Sequence, residues 1–188
     1  MKLHLIRHTR VNVAPGICYG QTDVALQASF PEEVVAIQAK LEGVHLTHGF
    51  SSPLTRCRRL AERLVPAALP LVYDDRLKEL NFGQWEGRPW SEFEQTPEAM
   101  QWFGDYLQTP CPGGESYQEL LARIQAFLDE LKSLPDSASV LIVSHGGPIR
   151  ALLVCLGLAA PDKLFDIQVD CGAVKTITCE AFPGRIPV

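Results

Sequence analysis

Residues 140–143 are four consecutive apolar side chains, Val-Leu-Ile-Val, followed at once by Ser144-His145-Gly146-Gly147. A run of strand length with no polar alternation fits a strand covered on both faces, the situation of an interior strand in a parallel sheet sandwiched by helices. This narrows the choice of fold sharply. Parallel neighbours cannot be joined by hairpins, so the rest of the chain has to supply crossover helices between strands.

The chain meets that demand. Residues 2–6 mix apolar and polar side chains at strand length, and residues 12–21, with Pro15, Gly16 and Gly20, form an irregular loop. Residues 30–41 place Val34, Val35, Ile37 and Leu41 on roughly one helical face behind Pro31 and two acidic residues. A short strand at 48–52 runs through Pro53 into a basic amphipathic helix carrying Leu54, Leu60, Ala61 and Leu64. Residues 69–73 read as a further strand. Residues 115–131 are the clearest helix, with Ser116 available to cap its start, and 148–156 read as a helix with Pro148 in its first turn. A last strand is expected over 173–179. The alternation implies an α/β three-layer sandwich with a mostly parallel central sheet flanked by helices, one domain over 1–188. Residues 74–112, with Trp85, Trp90 and Trp102 among prolines, glycines and acidic residues, form an excursion long enough to cover a binding site.

The formal net charge of −5 and the lack of a basic block exclude a protein that grips nucleic acid or an anionic membrane through its overall field. An anionic ligand therefore requires local positive charge. Residues 1–6 are too short for a signal-peptide core or a membrane span. The six cysteines show no C-x-x-C pair and no zinc spacing, which points to reduced thiols, a cytoplasmic location and no metal site. No cofactor is expected.

The first strand ends in Arg7-His8 and the run at 140–143 ends in His145-Gly146-Gly147. In parallel α/β sheets the carboxyl ends of strands line the ligand crevice, so the two histidines are expected to meet there. Ser52-Pro53-Leu54-Thr55-Arg56 leaves a strand at the same edge and enters a helix, which brings Arg56 toward Arg7. Two guanidinium forks suit a phosphate dianion, and the free N–H groups at the helix start after His145 suit an anion as well. Tyr19, Gly20 and Gln21 in the first loop are candidate substrate contacts, with Gly146 at the helix start. His4, His45 and His48 are read as structural or solvent-facing, Arg58, Arg59 and Arg63 as a solvated helix face, and Trp85 and Trp90 as packing residues.

Five segments together resemble the histidine phosphatase superfamily, in its phosphoglycerate mutase-like branch. They are Leu5-Ile6-Arg7-His8, Gly20-Gln21-Thr22-Asp23 with Leu26, Ser52-Pro53-Leu54-Thr55-Arg56, Leu77-Lys78-Glu79-Leu80-Asn81-Phe82-Gly83 with Trp85-Glu86-Gly87, and Ser144-His145-Gly146. The resemblance implies that His8 attacks phosphorus to give a phosphohistidine, that Arg7, Arg56 and His145 bind the transferring phosphoryl group, and that Glu79, rather than its neighbour Glu86, protonates the leaving oxygen. The implied partner is a small-molecule phosphate ester, without metal or cofactor.

The chain departs from the family pattern after His8. Thr9 and Arg10 replace the usual glycine and acidic or amide residue, and the usual asparagine has no aligned counterpart, with Asn12 nearest to it. Arg10 either favours an anionic substrate or faces solvent. Residues 112–116 and 16–23 look like the α-ribazole phosphatase branch, which implies α-ribazole 5′-phosphate as substrate in the assembly of the lower ligand of cobalamin. A phosphoglycerate mutase and a broad-specificity sugar-phosphate phosphatase are the alternatives. Against the mutase stand the chain's shorter length and the lack of a paired-arginine segment after Glu79 to grip a carboxylate. A non-catalytic binding module would not need His8, His145, both arginines and Glu79.

Overall fold

The computed structural model describes residues 1–179. Residues 180–188, which the single-domain expectation also takes in, lie outside the described residues. The strands are β1 (Lys2–Arg7), β2 (His48–Ser51), β3 (Leu71–Tyr73), β4 (Ser139–Ser144) and β5 (Val174–Thr178). They form one sheet in the order β3-β2-β4-β1-β5, parallel except for β5, which pairs antiparallel with β1 at the edge. The apolar run at 140–143 sits in β4, the central strand, as its lack of alternation requires.

Side-chain alternation along the strands feeds two separate cores. Leu3, Leu5, Val140 and Ile142 face α5 (Tyr117–Leu131) and α6 (Gly146–Cys155). Ile6, Leu141 and Val143 face α1 (Phe30–Lys40) and α2 (Thr55–Leu64), meeting Val34, Ile37, Leu60 and Ala61. These side chains are essentially inaccessible, and full burial of each such Leu, Ile or Val contributes about 1.5–3 kcal/mol. The sandwich of helices, sheet and helices expected from the sequence is therefore formed.

The excursion contains two 3₁₀ turns, Asp75–Leu77 and Gly83–Trp85, and the short helices α3 (Trp90–Phe93) and α4 (Pro97–Gly104). Its aromatic rings pack on one another: Trp85 stacks on Phe93 with centroids 5.0 Å apart, and Trp102 meets Trp85 edge-on at 5.7 Å. Trp85 and Trp102 are buried, so they serve the core. Strand β3 begins at Leu71 rather than at residue 69, the other strands and α1 differ from expectation by a residue at one end or both, and two helix starts differ by two residues. Helix α5 begins at Tyr117, where Ser116 and Glu119 close a reciprocal capping box. Helix α6 begins at Gly146 rather than Pro148. Proline lies in the first turn, where its missing N–H has no intrahelical role, so it tolerates the earlier start. A 3₁₀ helix at Pro161–Asp166 lies between α6 and β5, beyond the elements expected from the sequence.

Candidate active site

The sheet register builds the site. Arg7 pairs with Ser144, the His8 N–H donates to the Ser144 carbonyl at 3.0 Å, and the Ser52 N–H donates to the Val143 carbonyl at 3.0 Å. The carboxyl ends of β1, β4 and β2 are neighbours, so His8, His145 and Ser52 emerge side by side. The two imidazoles lie with centroids 5.2 Å apart at 62°.

Both rings have assignable tautomers. Nδ1 of His8 lies 2.7 Å from the Thr9 carbonyl, which can only accept, so Nδ1 carries the hydrogen and Nε2 keeps a lone pair. That Nε2 is buried and has no hydrogen-bond partner among the described residues. Arg56 Nε donates to Nδ1 of His145 at 3.1 Å, which leaves Nε2–H of His145 to donate to Ser52 Oγ at 2.8 Å. Burial, then the Arg56 charge and more weakly Arg7, hold His8 down to about 3 against the opposing effect of the Thr9 carbonyl. His145 is likewise held well below its ordinary value by burial and by Arg56.

This fixes a stability trend with pH. A histidine whose pKa is lower folded than unfolded binds fewer protons in the native state, so between about 3 and 6.5 the unfolded chain takes up protons that the fold refuses. Stability is whole above pH 6.5 and falls as pH drops toward 3. Thermal melts in phosphate-free buffer at pH 7.5, 6, 5 and 4 should show Tm falling over this window, less steeply in His8→Gln. An unchanged slope in the variant would show that His8 is not buried in neutral form.

Arg56 is fully buried. Its Nη2 donates to the Gly20 carbonyl at 2.5 Å and its Nη1 to the Thr22 carbonyl at 2.9 Å, while the guanidinium lies over the Tyr19 ring at 5.2 Å. Arg7 donates from Nη1 to the Val169 carbonyl at 2.5 Å, and its Nε is buried without a hydrogen-bond partner among the described residues. An orphaned cationic donor and an orphaned imidazole acceptor on adjacent residues, with a second guanidinium beside them, form an arrangement suited to an anion with an electrophilic centre.

Glu79 reaches the same edge from the excursion. Its Oε1 accepts from the Leu80 N–H at 2.9 Å and from the Gly147 N–H, in the first turn of α6, at 3.0 Å. A Cβ on Gly147 would sit 2.3 Å from that oxygen, so glycine is what lets the carboxylate approach. The Glu79 backbone is fastened from two sides: Gln21 Nε2 and Arg123 Nη2 both donate to its carbonyl, at 2.9 and 3.0 Å. Glu86 is engaged elsewhere. It accepts from the backbone N–H groups of Gln21, Thr22 and Phe82 and from the Thr22 hydroxyl, and so anchors the first loop.

The structure thus brings Arg7, His8, Arg56, Glu79, His145 and Gly146 together and gives the loop residues other tasks. Gly20 serves Arg56 through its carbonyl and Gln21 serves Glu79. Asn12 is exposed, and its described hydrogen bond runs from its backbone N–H to Ala25. Of the two alternatives for Arg10, solvent holds: its side chain is 58% exposed and paired with Glu33 at 3.1 Å. His4 is a satisfied core histidine between Thr176 and Ser139. Two residues near the site escaped the sequence. Arg123, ion-paired with Glu115 at 2.6 Å, positions Glu79 from within an amphipathic helix. Arg150, one turn into α6, lies against Gly146: a Cβ there would be 3.0 Å from Arg150 Nη1 and 3.8 Å from Arg7 Cζ. Its place in a helical pattern gave no signal of this, although its spacing of four from Gly146 puts it on that face.

A fold of this layering with two histidines and two arginines at one sheet edge defines a class of protein. Residues 3–186 match the histidine phosphatase superfamily (branch 1), and the chain belongs to that family. It is 33% identical over 166 residues, 85% of this chain and 77% of the relative, to the Escherichia coli O1:K1 protein named "Probable phosphoglycerate mutase GpmB". Among solved structures, the α-ribazole phosphatase of Shigella flexneri is 25% identical with a TM-score of 0.83, covering 94% of this chain and 89% of that one. YhfR of Bacillus stearothermophilus shares the fold, with a TM-score of 0.84 at 24% identity and coverage of 96% and 92%.

Proposed function

We propose that this chain hydrolyses a small-molecule phosphate monoester through a phosphohistidine on His8. One observation carries the reading: the Thr9 carbonyl ties up Nδ1 of His8, and burial among cations keeps the ring neutral, so the Nε2 lone pair is presented without a competing partner. A neutral imidazole is a competent nucleophile at physiological pH. Its Nε2 forms the bond to phosphorus as the ester P–O bond breaks, and a proton from Glu79 goes to the departing oxygen. Arg7, Arg56 and His145 balance charge on the equatorial oxygens, His145 by turning its Nε2–H from Ser52 to the phosphoryl group. Water then attacks the phosphohistidine and gives its proton to the Glu79 carboxylate. Tyr19, Gly20, Gln21, Gly146 and Asn12 border the substrate in this reading.

The whole chain acts as one catalytic domain, with 74–112 as its cover. α-Ribazole 5′-phosphate is the first substrate to try, supported by likeness to the Shigella flexneri enzyme; phosphoglycerate is the second, supported by the 33% identical relative. Six unpaired thiols suit a reducing compartment, the cytoplasm. Among the described residues no helix is long and apolar enough to cross a membrane.

The test is a substrate panel of nucleoside 5′-monophosphates, sugar phosphates, phosphoglycerates and α-ribazole 5′-phosphate, read as inorganic phosphate released. A hydrolase releases one phosphate per ester consumed. Isomerised phosphoglycerate without free phosphate would replace this reading by the mutase. Because guanidinium and imidazole groups supply the positive charge in this scheme, turnover should survive an excess of EDTA. Loss in EDTA restored by a divalent ion would contradict the scheme.

A further inference from the structure

Arg150 is the cation that this mechanism leaves unused. Its Nε donates to the Ile167 carbonyl at 2.9 Å, and among the described residues it has no carboxylate partner. Gly146 is held between its guanidinium and that of Arg7, so two cations converge on the start of α6. Gly147, the residue after Gly146, donates its N–H to Glu79 Oε1 at 3.0 Å, so the start of α6 that Arg150 lies against also holds the Glu79 carboxylate. Arg150 therefore stands on the Glu79 side of the site, where the departing oxygen and the alcohol portion of an ester would lie. Two like charges brought together without an intervening anion repel, and an unpaired guanidinium at a binding edge is suited to a carboxylate or phosphate.

We propose that Arg150 forms a second anion-binding position beside the phosphoryl site, so that the chain prefers phosphate esters whose alcohol portion carries a further anionic group. The proposal rests on the phosphoryl site of the preceding section. Two sources of that anion fit: the carboxylate of a phosphorylated hydroxy acid and a second phosphate on a ribosyl ester.

Matched pairs separate these sources. Glycerol 3-phosphate is compared with 3-phosphoglycerate, and adenosine 5′-monophosphate with adenosine 3′,5′-bisphosphate, by titration calorimetry on full-length His8→Ala protein, which cannot be phosphorylated. His8→Asn replaces it if the alanine variant does not fold. The member of at least one pair that carries the additional anionic group should bind about tenfold or more tightly than the member without it, the scale of one charge-assisted contact. The pair that shows it identifies the source. Adding Arg150→Gln should bring the ratio to within about twofold, and Arg150→Lys should keep part of it. Equal binding within both pairs, or a preference that survives Arg150→Gln, overturns the proposal and leaves the phosphoryl site standing. Failure of all four esters to bind overturns the phosphoryl site and this proposal with it.

Discussion

His8→Ala should lower turnover by a factor on the order of 10⁴ or more, the loss expected when a covalent route is removed and only binding and electrostatics remain. The fold should survive. His8 follows β1, its side chain makes one described hydrogen bond, to the adjacent Thr9 carbonyl, and alanine removes a neutral ring that no ion pair depends on. Circular dichroism and thermal melting check folding, and steady-state release of phosphate from the best panel substrate checks turnover. A folded variant that retains more than about one hundredth of wild-type turnover would remove His8 from the nucleophile role.

Glu79→Gln is expected to act on poor leaving groups above all. Oε1 of Glu79 is engaged by the Leu80 and Gly147 N–H groups, which leaves Oε2, unpartnered among the described residues, as the oxygen to hold the proton. An alkoxide departing from a sugar or glyceryl phosphate needs that proton in the transition state, and p-nitrophenolate does not. General acid catalysis is typically worth about 10²–10⁴-fold. The variant should lose this factor in single-turnover phosphorylation by an alkyl phosphate, and lose far less with p-nitrophenyl phosphate. Single-turnover rates isolate the step, because Glu79 also serves the attacking water. Equal losses would take the acid role from Glu79. Glu86→Gln provides the comparison, and its effect should be on loop order, since Glu86 holds Gln21, Thr22 and Phe82.

The parts of the site legible in the sequence are those that strand ends dictate. A run of four apolar residues at 140–143 demanded a central strand, and once β4 is central, the residues after β1, β4 and β2 share one edge. His8, His145 and Arg56 follow from that alone. What stayed hidden depends on contacts across long sequence separations. Arg123 fastens Glu79 from 44 residues away, and within α5 it looks like any other polar residue on an amphipathic helix. Arg150 sits among Ile149, Ala151 and Leu152, where the apolar pattern masks a side chain aimed at Gly146. Gly20 and Gln21 lie beside the candidate site. Their bonds go to Arg56 and Glu79, because a loop carbonyl and amide can be spent on orienting other groups. Asn12, the residue nearest to the family's usual asparagine, is exposed, and periodicity gives no signal of which side chains of an irregular loop point inward.

The central claim is most directly tested by trapping the phosphoenzyme. Protein mixed with a rapidly cleaved ester and quenched in alkali within milliseconds should carry one phosphoryl group, stable in alkali and lost in acid. Fragmentation mass spectrometry should place it on His8, and ³¹P NMR should show the Nε2-linked isomer, because the Thr9 carbonyl occupies Nδ1–H. A label on any other residue, an Nδ1-linked phosphohistidine, or steady hydrolysis with no phosphoenzyme at any time point would contradict the account.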